Sequence, residues 1–144
     1  MTRYLIDTNI VSEATKPDPS AAVADWLTAQ ADADLFIAAL TLAEIWRGIL
    51  QTSPGRKRRD LERWFAGEDG PPRLFADRIL PFGEPEAIVW ARIMADAKAA
   101  GRPRSALDMI IAATAITNAA VVATANERDF RGVVDMLNPN TPVS

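Results

Sequence analysis

The chain has 144 residues, about half of them apolar, which sets the expectation of one domain over residues 1–144 with a real core. A net charge of −3 argues against a protein that coats nucleic acid by bulk charge, while leaving room for a local basic patch. Cysteine and histidine are both absent, so disulfides, thiolate and imidazole catalysis and the usual zinc ligand sets are excluded, and any chemistry falls to carboxylates, hydroxyls, cationic side chains or a cofactor.

In chain order, Arg3 to Asp7 reads as a buried strand that ends in a carboxylate and opens the polar turn Asp7-Thr8-Asn9. Asn9 to Thr15 reads as a short helix stopped before Pro17 and Pro19. Ser20 caps a helix to about Gln30, with Val23, Trp26 and Leu27 on one face. Leu35 to Ala38 is a second strand. Thr41 opens a helix to Leu50, broken by Pro54-Gly55. A basic helix runs from Arg56 to Ala66, and Gly70-Pro71-Pro72 ends that stretch. Arg78 to Phe82 is a third strand.

Pro85 suits the start of a long helix to Ala100, ended by Gly101. Ser105 caps the next helix, to about Asn118, which is apolar nearly all round and therefore buried. Ala120 to Thr124 is a fourth strand, followed by a short loop holding Asn126 and Asp129. Val133 to Leu137 is an edge strand, with Pro139 and Pro142 ending the fold. Strands alternating with helices predict an α/β fold. Its centre is a parallel sheet of four to five strands with helices on both faces.

Asp7, Glu44, Asp108 and Asp129 each stand near a strand end or a helix start. Each has a plainer explanation. Thr41-Leu42-Ala43-Glu44 and Ser105-Ala106-Leu107-Asp108 both have the form of a capping box, Asp7 suits a turn, and Asp129 suits the surface. Together they suggest more. Two bare carboxylates about 4 Å apart repel by roughly 4 kcal/mol at an effective dielectric near 20. A hard divalent cation such as Mg²⁺ or Mn²⁺ would remove that penalty using oxygen ligands alone.

The segments Leu5-Ile6-Asp7-Thr8-Asn9-Ile10-Val11-Ser12-Glu13, Thr41-Leu42-Ala43-Glu44-Ile45 with Gly48, Asp108 with Ile110-Ile111-Ala112-Ala113-Thr114-Ala115, and Val122-Ala123-Thr124 follow a familiar order and spacing. The chain resembles PIN-domain ribonucleases, and among them the toxin component of VapBC-type toxin–antitoxin pairs. Arg78-Ile79-Leu80-Pro81-Phe82 and Asn138-Pro139 are similar to the FitB-like branch. The resemblance implies that Asp7, Glu44 and Asp108 are catalytic metal-site acids, with the Thr8 hydroxyl close to the first and Thr124 supporting. It implies Asp129 as the fourth acid, with Asn126 a neutral neighbour able to bind the metal through its amide oxygen or a water. It further implies an endoribonuclease toxin using Mg²⁺ (or Mn²⁺), an RNA substrate, a homodimer and a cognate antitoxin that blocks the site, with operator DNA reached only through the antitoxin. The alternative is a catalytically weak PIN-fold partner of a DNA-binding antitoxin, acting in transcriptional autoregulation.

Arg102 and Arg104 precede the Asp108 helix and are candidates for guiding an RNA phosphate. The basic run Arg56-Lys57-Arg58-Arg59 suits either a phosphate or antitoxin contact or a solvated face balanced by Asp60, Glu62 and Glu68. Trp46, Trp64 and Trp90 sit at helical spacing with other apolar residues, which favours packing over base stacking. No apolar run approaches the roughly 20 residues of a membrane helix. The first apolar stretch is interrupted too soon for a signal peptide, so the cytoplasm is expected.

Overall fold

Three apolar residues after a charged first position, Arg3–Ile6, make β1 the axis of the fold in the computed structural model, which describes residues 2–141. On one side β1 pairs in parallel with β2 (Leu35–Ala38), and β2 with β3 (Ile79–Leu80). On the other it pairs with β4 (Ala120–Ala123), and β4 with β5 (Met136–Leu137). The strand order is β3-β2-β1-β4-β5, all parallel, so the expected architecture is the observed one, with five strands.

Side chains alternate between the two faces, as the strand period of two requires. Leu5, Ala38, Val122 and Phe130 pack on one face with Met109, Ile111, Ala112 and Ala115 of α7 (Ala106–Thr117). The partly buried Trp90, Ile93 and Met94 of α6 (Glu84–Ala99) join them. Ile6, Ile37 and Ala123 take the other face. They meet Ile10 and Val11 of α1 (Thr8–Ala14), Val23 of α2 (Ala21–Ala29), and Leu42 and Ile45 of α3 (Ala39–Leu50). Helices therefore cover both faces. The basic helix α4 is Arg56–Ala66, as expected.

One break and one loop of the sequence reading also hold a turn of helix. Gly70-Pro71-Pro72 begins a one-turn helix, α5 (Pro71–Leu74), because proline is favoured at the first helical position as well as beyond the last. Gly70 is required there: a Cβ on it would lie 2.1 Å from the Phe65 carbonyl oxygen. The loop after β4 also winds into one turn, α8 (Glu127–Phe130), whose Phe130 is fully buried. The two edge strands are shorter than expected, two residues each. Pro142 lies outside the described residues. Among the described residues no helix is long and apolar enough to cross a membrane.

Candidate active site

Register brings the first two groups together. Ile6 stands opposite Ala123 in the β1–β4 ladder, so Asp7 and Thr124 emerge side by side at the carboxyl ends of their strands. In open α/β sheets that edge is where ligands bind. The Thr124 hydroxyl donates to Asp7 Oδ2 (2.8 Å), as does Asn9 Nδ2 (2.8 Å), while the Thr8 backbone N–H donates to Oδ1 (2.9 Å). Asp7 is thus the N-cap of α1 and only 4% exposed. Burial pushes its carboxyl above the usual aspartate range, against the pull of the Thr124, Thr8 and Asn9 donors, and the Glu44 charge pushes the same way. A carboxylate has about four lone-pair sites. Three are taken by these donors, which leaves Oδ1 one site for a further partner.

Glu44 is not a capping residue. Helix α3 starts at Ala39 with Ala38 as its N-cap, which moves Thr41 into the first turn, fully buried. The capping-box reading of Thr41 and Glu44 fails because the apolar run Leu35 to Leu40 changes from strand to helix without a polar break. Glu44 instead accepts from the Thr8 hydroxyl (2.7 Å), and Thr8 and Thr41 oxygens lie 3.1 Å apart. At the other helix the cap is as read: the Asp108 N–H donates to the Ser105 hydroxyl (3.3 Å).

Asp108 is half-buried, and its carboxyl is raised, first by burial and then by the charges of Asp129, Asp7 and Glu44. Such effects between charges weaken with distance and are screened by solvent. Acids from β1, α3, α7 and α8 therefore share one region, where α7 packs on α3 and α8, and α1 on α3. Asp129 and Asn126 are both exposed on the α8 turn, and Asn126 is its N-cap residue without a side-chain capping bond. No ion pair among the described residues involves any of the four acids. Also among the described residues, no three acidic side chains stand close enough to hold an ion as they are. Asp7 and Glu44 are held by hydrogen bonds, and the half-buried Asp108 and the exposed Asp129 are the ones with room to turn. An all-oxygen donor set with unbalanced charge suits a hard divalent cation.

The chain matches the PIN domain model over residues 4–135. It belongs to the PIN-domain family. The toxin FitB of Neisseria gonorrhoeae is 38% identical over 136 residues, covering 94% of this chain and 96% of that protein. The VapC ribonuclease Y4jK of Sinorhizobium fredii is 34% identical over 139 residues, covering 96% and 98%. Among solved structures, FitAB bound to an IR36 DNA fragment superposes with a TM-score of 0.89 at 36% identity, covering 98% of each chain.

Within this PIN domain, Asn9 and Thr41 are site residues that the sequence did not single out as such. Asn9 crosses from β1 to β4, donating to Asp7 and accepting the Ala125 N–H through Oδ1 (3.0 Å). The signal was the Asp7-Thr8-Asn9 spacing, which reads equally well as a turn. Arg104 donates to the backbone carbonyls of Asp129 (3.1 Å) and Arg131 (2.9 Å). The basic helix is partly balanced within itself, by Arg58–Glu62 (2.9 Å) and Arg63–Asp60 (3.5 Å). Trp46 packs against Phe65 at 4.9 Å between rings, as the packing reading expected.

Proposed function

We infer that this PIN domain, taken as one unit over residues 1–144, is a metal-dependent endoribonuclease. In this reading it is the toxin of a type II toxin–antitoxin pair, held inactive by a cognate antitoxin. The observation that carries this is a buried Asp7 held by Thr8, Asn9 and Thr124 at the carboxyl end of β1, with Glu44 tied to it through Thr8 and no ion pair to any of the four acids among the described residues. The names of the relatives, a FitB toxin and a VapC ribonuclease, point the same way.

Asp7, Glu44, Asp108 and Asp129 are the residues that would hold the ion. Bound there, Mg²⁺ or Mn²⁺ would acidify a water and offset the charge that develops on a phosphodiester. Asp7 is oriented by Thr8, Asn9 and Thr124, and Glu44 by Thr8, so two of the four are set before substrate arrives. The exposed Asp129 can accept the proton of the attacking water. In the cleavage the water oxygen joins phosphorus, one ester P–O bond breaks, and the departing oxygen takes a proton from solvent. No imidazole is needed.

A homodimer and a larger assembly with the antitoxin belong to the same reading. Leu74, Phe82, Ile88 and Ile116 are exposed apolar residues available to such contacts. The overall negative charge fits DNA being reached only through the antitoxin. A binding-only role is the second reading, favoured by the neighbour solved with DNA. Expression separates the two. Wild type should arrest growth and the purified protein should cut RNA in Mg²⁺, whereas Asp108→Asn, folded by its melting curve, should do neither. Equal growth of the two strains would favour the binding-only role.

A further inference from the structure

The loop between α6 and α7 and the turn α8 enclose a second polar pocket of about 400 Å³. Its lining is Arg102, Pro103, Arg104, Ser105, Arg128 and Asp129. Three arginines and a single acid line it, on a chain whose net charge is −3. Arg104 is spent on two neutral carbonyls, which hold it in place and leave its charge uncancelled. Arg102 and Arg128 are exposed, and neither forms an ion pair among the described residues. Two of the lining residues also belong to the acidic site, since Ser105 caps the helix at Asp108 and Asp129 is felt by Asp108.

A polyanion approaching four carboxylates is repelled unless cations meet it nearby. Guanidinium forks match phosphate oxygens two at a time. We propose that this pocket is a phosphate subsite, taking a phosphodiester of the RNA strand next to the one being cut, with Arg102 and Arg128 as its ligands and Arg104 as the strut that sets its wall. The subsite rests on the ribonuclease reading and adds Arg128 to it. It also assigns Arg104 a positioning role in place of direct phosphate contact.

The test measures binding of a fluorescein-labelled single-stranded RNA to the full chain by anisotropy, with Ca²⁺ replacing Mg²⁺ to suppress cutting, and initial rates in Mg²⁺. Arg102→Gln and Arg128→Gln should each weaken binding about tenfold at about 50 mM salt, and each lost contact should flatten the slope of log affinity against log salt by about 0.7. KM should rise with kcat nearly unchanged, and the Mg²⁺-induced melting shift should persist. Arg3→Gln, at the amino end of β1 and so at the opposite edge of the sheet, controls for net charge. Wild-type affinity and slope in the double variant, while wild type still binds and cuts RNA, would overturn the subsite alone. So would a loss confined to antitoxin binding. A wild type that neither binds nor cuts RNA would overturn the ribonuclease reading and the subsite with it.

Discussion

Thr8 has one hydroxyl proton and two acceptors within reach, Glu44 at 2.7 Å and Thr41 at 3.1 Å. An ionised Glu44 can only accept, so Thr8 donates to it and Thr41 donates to Thr8. Thr41 thereby orients a hydroxyl that orients an acid. Thr41→Val should cost about 1 kcal/mol of stability and reduce RNA cleavage several-fold, and Thr41→Ser should restore both. Equal cleavage rates for the Val and Ser variants would remove Thr41 from the site. Asp108 supplies the pH prediction. Its folded pKa is raised, so its protonated form favours folding below the unfolded value of 3.8, and that contribution is lost as pH rises through the folded pKa. Without metal, Asp108→Asn should melt above wild type at pH 7, and the gap should close as pH falls towards 3.8. A gap that is absent or reversed at pH 7 would mean that the acids do not repel.

Most elements were legible where a local signal sat on an apolar pattern. Ser20 and Ser105 cap α2 and α7 as read, accepting from the N–H groups of Val23 and Asp108, and Gly101 follows α6 at φ +69°. The strands β1, β2 and β4 stood out as apolar runs, of three residues in β1 and four in each of the others. What failed depended on tertiary context. Pro71 and Pro72 punctuate either end of a helix, and only packing on α4 decides which. Thr41 looked like a cap because its burial beneath Thr8 is invisible in one dimension. The α8 turn has four residues, too few to show a period, yet it presents Asp129. It is held by the buried Phe130 and by Arg104. Phe130→Ala should cost about 3–5 kcal/mol and abolish cleavage at temperatures where the variant stays folded, read by melting and by RNA assay. Glu86 ties α6 to α7, accepting from the Thr117 hydroxyl and the Gly83 N–H. The Thr117 hydroxyl, then the Gly83 N–H, holds its carboxyl below the usual glutamate range. Glu86→Gln should therefore lose about 1 kcal/mol near neutral pH, a difference present above pH 4.5 and lost as pH falls through the lowered folded value.

At the scale of the molecule, the acids come from four elements and are gathered towards one edge of the sheet, where β1 is central and flanked by β2 and β4. A cation that binds this meeting point stabilises the folded state alone, by about 2.7 kcal/mol at a hundred times its Kd. Saturating Mg²⁺ or Mn²⁺ should raise the melting temperature of wild type by several degrees, and that of Asp108→Asn by much less. No response in wild type across a titration would sink the metal site. The bond between Asp7 and Thr124 joins positions 117 residues apart. A ribosome adding about 5–20 residues per second finishes that interval roughly 6–23 s after making Asp7. The bond that orients Asp7 therefore cannot form until β4 and the residue after it have been made, so this corner of the site stays unassembled through most of synthesis.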